Sequence, residues 1–351
     1  MTVPFQHGYN DDFQRLAQSS PALPPDTVFQ YLRDGLAGTI RCNIAWGDVQ
    51  HTSDPTAWDF SSFVPLAQKA AANGLKVLPV LTTVGAWVPG GEPNQYLTPG
   101  YPAAIPPVPG TPYPGPAYID DFAVYAVKTL QFLDTYGVAT GVEVWNEPNI
   151  INESTLARVG TNMPVGEFSP LLGTVISHVK AANDNHQFSQ SMTVVSGGLY
   201  RDGSRKWVDY LGGFVNQCYS YGLGIHPYGP VSFSGTWQDA ADATSARVIA
   251  RYDEVIDTLQ FIWGISIQDV WVTETGCSYK SPWGLSGQAR ALASIVNGLR
   301  QRSRCKSMLV HRFISDPVHE GVGKPFYDYG VIDDTGVRNL GYFQLAGSWG
   351  T

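Results

Sequence analysis

The sequence predicts a (β/α)8 TIM barrel with long strand-to-helix loops. Three observations carry that expectation. Strand-like and helix-like segments alternate along the chain, the pattern of βαβ units on a parallel sheet. Eight strand candidates fit in 351 residues, and a closed barrel takes about 250 residues plus insertions. The residues able to do chemistry fall at strand ends, where a barrel gathers its βα loops. Residues 1–351 are read as one such domain. An open, doubly wound sheet is the alternative. It calls for a glycine-rich phosphate loop after an early strand, and neither GxGxxG nor GxxxxGK[ST] occurs.

The elements follow in order. Thr2 to Tyr9 is the first strand candidate. A polar, proline-rich connection follows, and Pro24-Pro25-Asp26 opens a helix running to Asp34. The second strand spans Gly38 to Trp46; Arg41, Asn43 and Ala45 share one face, Cys42, Ile44 and Trp46 the other. Ser61-Ser62 starts a helix with Phe63, Leu66, Ala67 and Ala70 on one side, ended by Asn73-Gly74. Leu75 to Leu81 is apolar throughout, as a strand covered on both faces should be. From 88 to 116 proline and glycine dominate, with Tyr96, Tyr101 and Tyr113 interleaved and Trp87 just before. This reads as an inserted loop at the barrel mouth, because alternation resumes after it. Its aromatics either line a groove or pack the loop down.

A helix from Tyr118 to Tyr136 leads to the fourth strand, Val142-Glu143-Val144-Trp145, which stops at Asn146-Glu147-Pro148-Asn149. A second irregular stretch, 150–166, precedes a helix from Glu167 to Ala182. Thr193 to Gly198 is the fifth strand, Arg205 to Tyr219 a helix, and Leu223 to Tyr228 the sixth strand with its exit turn. A third loop, 229–242, carries Phe233 and Trp237; a helix from Arg247 to Trp263 follows. The seventh strand is Val270-Trp271-Val272-Thr273-Glu274-Thr275-Gly276. Then come a helix from Ser286 to Arg302, an eighth strand from Met308 to Ile314 and a final irregular segment through Leu345.

Composition excludes several function classes. Hydrophobic residues make up 43% and charged residues 15%, so the chain can bury a large core. Net charge is −8, from 22 Lys+Arg against 30 Asp+Glu, with no basic run; nucleic acid would meet a repulsive surface. Cys42, Cys218, Cys277 and Cys305 form no CxxC pair, which argues against a zinc cluster. Cys42 and Cys277 read as buried thiols. The first residues, Met1 to His7, lack a basic segment followed by an apolar one, and no run approaches the roughly 18 apolar residues of a membrane helix. The expectation is a chain with no secretion signal and no membrane span. It is silent on compartment and on oligomeric state.

Glu147 and Glu274 stand 127 positions apart (274 − 147), each at the end of an apolar strand. Paired carboxyls are what acid/base cleavage of a glycosidic bond requires: one protonates the leaving oxygen, the other attacks the anomeric carbon or activates water. Strands four and seven face each other across a barrel mouth. Arg41, inward by strand parity, is placed to bond Glu274 and keep it anionic. Glu147 would then hold its proton longer and serve as the acid. Asn146 can offer its amide to a sugar hydroxyl, Tyr228 can donate to Glu274, and His226 is in reach of either glutamate. Trp87 and Phe313 also fall near strand ends, as substrate contacts. No cofactor is called for; a metal-dependent barrel would want an HxH at the first strand end, and His7-Gly8-Tyr9 stands there.

Trp145-Asn146-Glu147-Pro148-Asn149 with Thr273-Glu274-Thr275-Gly276 resembles the retaining glycoside hydrolases of clan A. Ile40-Arg41-Cys42-Asn43, Ser196-Gly197-Gly198, Ile225-His226-Pro227-Tyr228 and the tail Tyr329 to Gly336 look like family 39 of those enzymes and its exopolysaccharide-hydrolysing relatives. The resemblance implies a carbohydrate substrate and double displacement. It makes Glu147 the acid/base and Glu274 the nucleophile, supported by Arg41, Asn146, His226 and Tyr228. Two departures bear on the sugar. The eighth strand of such enzymes commonly offers a Trp as the floor of the sugar site, and Val310-His311-Arg312-Phe313-Ile314 has none. Phe313 or His311 would replace it, and an inward Arg312 would suit an acidic sugar. Asn43 stands where some members carry His. Trp and Tyr near strand ends point to a polysaccharide groove and internal cleavage. The alternatives are a non-catalytic carbohydrate-binding barrel and a transglycosylase using the same pair.

Overall fold

The structure, a computed structural model, describes residues 5–18, 23–82, 116–149, 163–200, 206–216, 221–229, 234–267, 269–280, 282–315, 328–333 and 335–350. Eight parallel strands close into a barrel: β1 (Gln6–Asn10), β2 (Thr39–Ala45), β3 (Lys76–Thr82), β4 (Gly141–Asn146), β5 (Thr193–Tyr200), β6 (Leu223–His226), β7 (Val270–Thr275) and β8 (Cys305–His311). Each bonds to the next in chain order, and β8 returns to β1, with Gly8 opposite Leu309 and Asn10 opposite His311. Closure abolishes the sheet edge. At the β1–β2 seam a side chain on Gly8 would run into the Thr39 carbonyl, so only glycine lets these strands meet.

The helices form the outer layer: α1 (Phe13–Gln18), α2 (Pro25–Asp34), α3 (Trp46–Val49), α4 (Val64–Ala72), α5 (Ile119–Thr135), α6 (Val165–Asp184), α7 (Lys206–Phe214), α8 (Trp237–Asp257), α9 (Gly284–Arg300) and α10 (Leu340–Trp349). α5 shows why they lie there. Phe122, Tyr125, Ala126, Thr129, Leu130 and Leu133 recur at helical spacing and are its buried stripe. The main core lies between helices and barrel, where Val142 and Val144 of β4 point outward. A second cluster, Leu78, Val195, Trp271 and Leu309, fills the barrel interior. Towards the C-terminal ends of the strands the interior turns polar, and there the candidate site sits. No helix among the described residues is long and apolar enough to cross a membrane.

Several boundaries differ from the sequence expectation. The segment expected to be a loop to residue 242 is helical from Trp237. Thr236 caps it: its hydroxyl accepts from the Asp239 backbone N–H, and the Asp239 carboxylate accepts from the Thr236 backbone N–H. The final segment, expected irregular, contains α10, capped by Asn339. α1 occupies part of the expected polar connection. β8 starts and ends earlier than expected, so Arg312, Phe313 and Ile314 lie beyond it. Cys42, Cys277 and Cys305 are buried free thiols. Burial pushes each up to about 12, which keeps them protonated and inert. Cys218, Phe233, most of the 88–116 insertion and residues 150–162 lie outside the described residues.

Candidate active site

Both glutamate-bearing strands break the two-residue alternation of an extended chain at the position that matters. In β4, Glu143 points into the barrel. Trp145 then adopts a left-handed backbone, φ 73°, and packs against Phe122 of α5. The turn brings Asn146 inward as well, where its Oδ1 accepts from Arg41 Nη2 at 2.8 Å. Glu147 is also left-handed, φ 44°. Non-glycine residues rarely adopt this conformation, and it costs about 1–3 kcal/mol each. In β7, pairing with β8 slips between Val272 and Thr275, which leaves one extra residue on β7. Thr273 and Glu274 are consecutive, yet both reach the interior network.

Arg41 is the hub. Nε and Nη2 bond Glu143 at 2.6 and 3.0 Å, Nη1 bonds Asn10 at 2.9 Å and Glu274 at 3.2 Å, and Nη2 bonds Asn146. All five guanidinium donors are used. Burial alone would lower the Arg41 pKa, but the charges of Glu143, Glu274 and Glu147 raise it, so the cation is held firmly. Glu143 is fully buried. It also accepts from the Gly198 backbone N–H at 2.9 Å and the Thr273 hydroxyl at 3.1 Å. Every strand but β3 contributes to the network.

The two candidate carboxyls face one another, with one oxygen of each inside a group whose atoms all lie within 4.8 Å. Their surroundings differ. Glu274 lies beside Arg41 and accepts from the Tyr228 hydroxyl at 2.5 Å; His311 Nδ1 is 3.6 Å away. Burial would raise its pKa, but His311, His226, Arg41 and the Tyr228 hydrogen bond outweigh that and hold it well below the usual carboxylate range. Glu147 contacts His226 Nδ1 at 2.8 Å. Burial dominates there, and with repulsion from Glu274 it raises Glu147 despite His226 and Arg41. One site thus holds side by side two carboxyls whose surroundings shift their proton affinities in opposite directions.

Glu147, His226 and Glu274 are spaced as a metal ion could also require. Each already has a protein hydrogen-bond partner, and the Arg41 cation beside Glu274 opposes a dication. The donor set fits an acid–base trio better than a metal centre.

The structure brings together Arg41, Asn146, Glu147, His226, Tyr228 and Glu274, as the sequence placed them at strand ends. Phe313 is a correction. It is fully buried and packs on Tyr9 and Phe13 at ring-centroid distances of 4.7 and 6.1 Å. It lies past β8 and fills the core under α1, so it cannot floor a sugar site. His311, the other residue considered, ends β8 and lies beside the Glu274 carboxylate. Arg312 approaches Asp11, with Nε 3.7 Å from its Oδ1. Asn43 is exposed. Trp87 lies outside the described residues. Sequence reasoning missed Glu143, Thr273 and Asn10. A signal for Glu143 existed: an inward arginine in a closed barrel must have a buried partner, and Glu143 is an acidic residue amid an apolar strand.

No protein-family model matches the chain, and no curated protein does. Solved structures do match in fold. A family 39 glycoside hydrolase from the gut symbiont Bacteroides cellulosilyticus aligns at 19% identity and a TM-score of 0.65, over 99% of this chain and 63% of that one. A family 39 β-xylosidase from Caulobacter crescentus aligns at 14% identity and 0.59, over 98% and 70%. A fungal β-1,4-galactanase aligns at 14% identity and 0.59, over 97% and 98%. The chain therefore spans about 63% of the first of these and nearly all of the last. The fold is the (β/α)8 barrel these enzymes share.

Proposed function

We propose that this chain is a retaining glycoside hydrolase, with Glu274 as nucleophile and Glu147 as acid/base. The observation that carries the reading is the pair itself: two carboxyls with oxygens within 4.8 Å and proton affinities shifted in opposite directions. Retaining enzymes hold their carboxyls about 5–5.5 Å apart, whereas inverting ones leave about 6.5–9.5 Å for a water. Three enzymes of this fold that act on glycosides support the substrate class.

The chemistry follows from the hydrogen bonds. Glu274, anionic and held by Arg41 and Tyr228, attacks the anomeric carbon. Glu147 gives its proton to the departing oxygen. The resulting glycosyl ester at Glu274 is opened by water, whose proton Glu147 takes back. Asn146 accepts from Arg41 through Oδ1, which leaves its NH2 as the donor side for a sugar hydroxyl such as the 2-OH. Aromatic residues of the sequence near strand ends support a poly- or oligosaccharide substrate cleaved internally.

A panel of 4-nitrophenyl glycosides and polysaccharides, with products sized and their anomeric configuration read by proton NMR, tests the reading. Net retention and internal fragments are expected; inversion overturns the roles given to the two glutamates. Glu274→Gln should abolish turnover. Glu147→Gln should slow poor leaving groups by about 10²–10⁴-fold while a dinitrophenyl glycoside still gives a burst of phenol. Equal loss on both substrate types sinks the assignment.

A further inference from the structure

Four residues link a buried carboxylate to the acid: Glu143, Thr273, His226 and Glu147. Thr273 has one hydroxyl proton, and it goes to Glu143 Oε1 at 3.1 Å. The Thr273 hydroxyl oxygen itself lies 3.1 Å from His226 Nε2. A hydroxyl whose proton is committed can only accept there, so Nε2 must carry a hydrogen. In the neutral imidazole that leaves Nδ1, 2.8 Å from Glu147 Oε1, as the nitrogen that accepts. Resting on the reading of Glu147 as the acid, we propose that Thr273, oriented by Glu143, is a positioning residue that fixes the His226 tautomer and so keeps the acid proton on the Glu147–His226 pair.

The proton count shows how. With Nε2–H fixed, one further proton sits on the line between Nδ1 and Oε1. Protonating the leaving oxygen breaks that bond to Oε1 and forms the new O–H. Losing the proton, to solvent as to the leaving oxygen, leaves two lone pairs facing each other across 2.8 Å. The escape is to move the imidazole hydrogen to Nδ1. Thr273 would then have to turn its hydroxyl proton to Nε2 and leave Glu143 without that donor. The relay therefore penalises loss of the acid proton. Other charged or titratable groups face the pair from β2, β4, β7 and β8 and from Tyr228 just past β6. Glu274 Oε2 is 3.7 Å from Nδ1 and Glu143 Oε1 is 3.9 Å from Nε2. Arg41 lies behind both carboxylates, while Tyr228 and His311 lie on the far side of Glu274. None of them touches Nε2 as Thr273 does.

Thr273→Val keeps the shape and removes the hydroxyl; Thr273→Ser keeps the hydroxyl. Nitrogen-15 spectra of the imidazole, with the His226 signal assigned by its absence in His226→Asn, should show Nε2–H in wild type and the Ser variant and Nδ1–H in the Val variant. With a 4-nitrophenyl glycoside that the wild type hydrolyses, the alkaline limb of kcat/KM should fall by about one pH unit in Thr273→Val, the worth of one hydrogen bond. It should return in Thr273→Ser. An unchanged tautomer, or a Val variant that is slower with its limb unmoved, overturns the relay. A wild type that hydrolyses no glycoside overturns the enzymatic reading instead, and the nitrogen spectra still decide the relay.

Discussion

Tyr228 donates to Glu274 at 2.5 Å, and removing that one hydroxyl is a small change that touches one glutamate and not the other. The nucleophile must be ionised, so activity should rise as pH climbs through the Glu274 pKa, which lies below the usual carboxylate range. The acid must be protonated, so activity should fall as pH climbs through the raised Glu147 pKa. Tyr228→Phe withdraws a donor from the Glu274 anion. Its pKa then rises, and the acid limb of the pH profile should move up by about one unit with the alkaline limb unmoved. A pH–rate comparison checks this. kcat/KM at the optimum should drop about 10–100-fold, as expected for a hydrogen bond to a charged group. The sequence made Tyr228 and Arg41 visible as supports because both residue types can act on a carboxylate. It did not show that Arg41 spends two of its five donors on Glu143.

Each element carries its own punctuation, and the errors of the sequence reading follow from how that punctuation is written. Gly74 ends α4 with φ 69°, and its Asn-Gly signal was legible. The start of α8 was missed because Thr236 and Asp239 stand in a polar stretch without an apolar stripe to draw the eye. Thr236→Ala removes one side of that capping box and should lower stability by about 1 kcal/mol, read as a lower denaturant midpoint at unchanged slope. The β7 slip and the left-handed Trp145 have no such signature. A register shift depends on the partner strand, and a positive φ on a tryptophan is held by the packing around it.

At the scale of the barrel, the Arg41–Glu143 pair crosses from β2 to β4 and gathers strands that otherwise meet only through the wall. Both side chains are almost wholly buried. Arg41→Met leaves the Glu143 carboxylate unpaired and should cost about 3–5 kcal/mol. Adding Glu143→Leu removes the orphaned charge and should recover most of that stability. Activity should stay lost, because Glu274 and Asn146 have lost the donors Arg41 gave them. Urea unfolding beside turnover separates the two effects. Recovery of both together would mean that Arg41 serves the fold alone.

The sequence by itself determined the class of fold, the strands and helices to within a few residues in most cases, and the gathering of Arg41, Asn146, Glu147, His226, Tyr228 and Glu274 at strand ends. Those follow from hydrophobic period, turn residues and strand parity, all of which act over a handful of neighbours. Only the tertiary structure decided that Glu143 and Thr273 belong to the site, that Phe313 belongs to the core, and which oxygen each donor meets. Arg41 and Glu143 are 102 residues apart, and Thr273 and Glu143 are 130. Barrel closure brings them within hydrogen-bond reach, and two departures from regular strand geometry aim them. Neither closure nor departure is encoded in the local pattern, because each depends on contacts the chain makes with itself at long range.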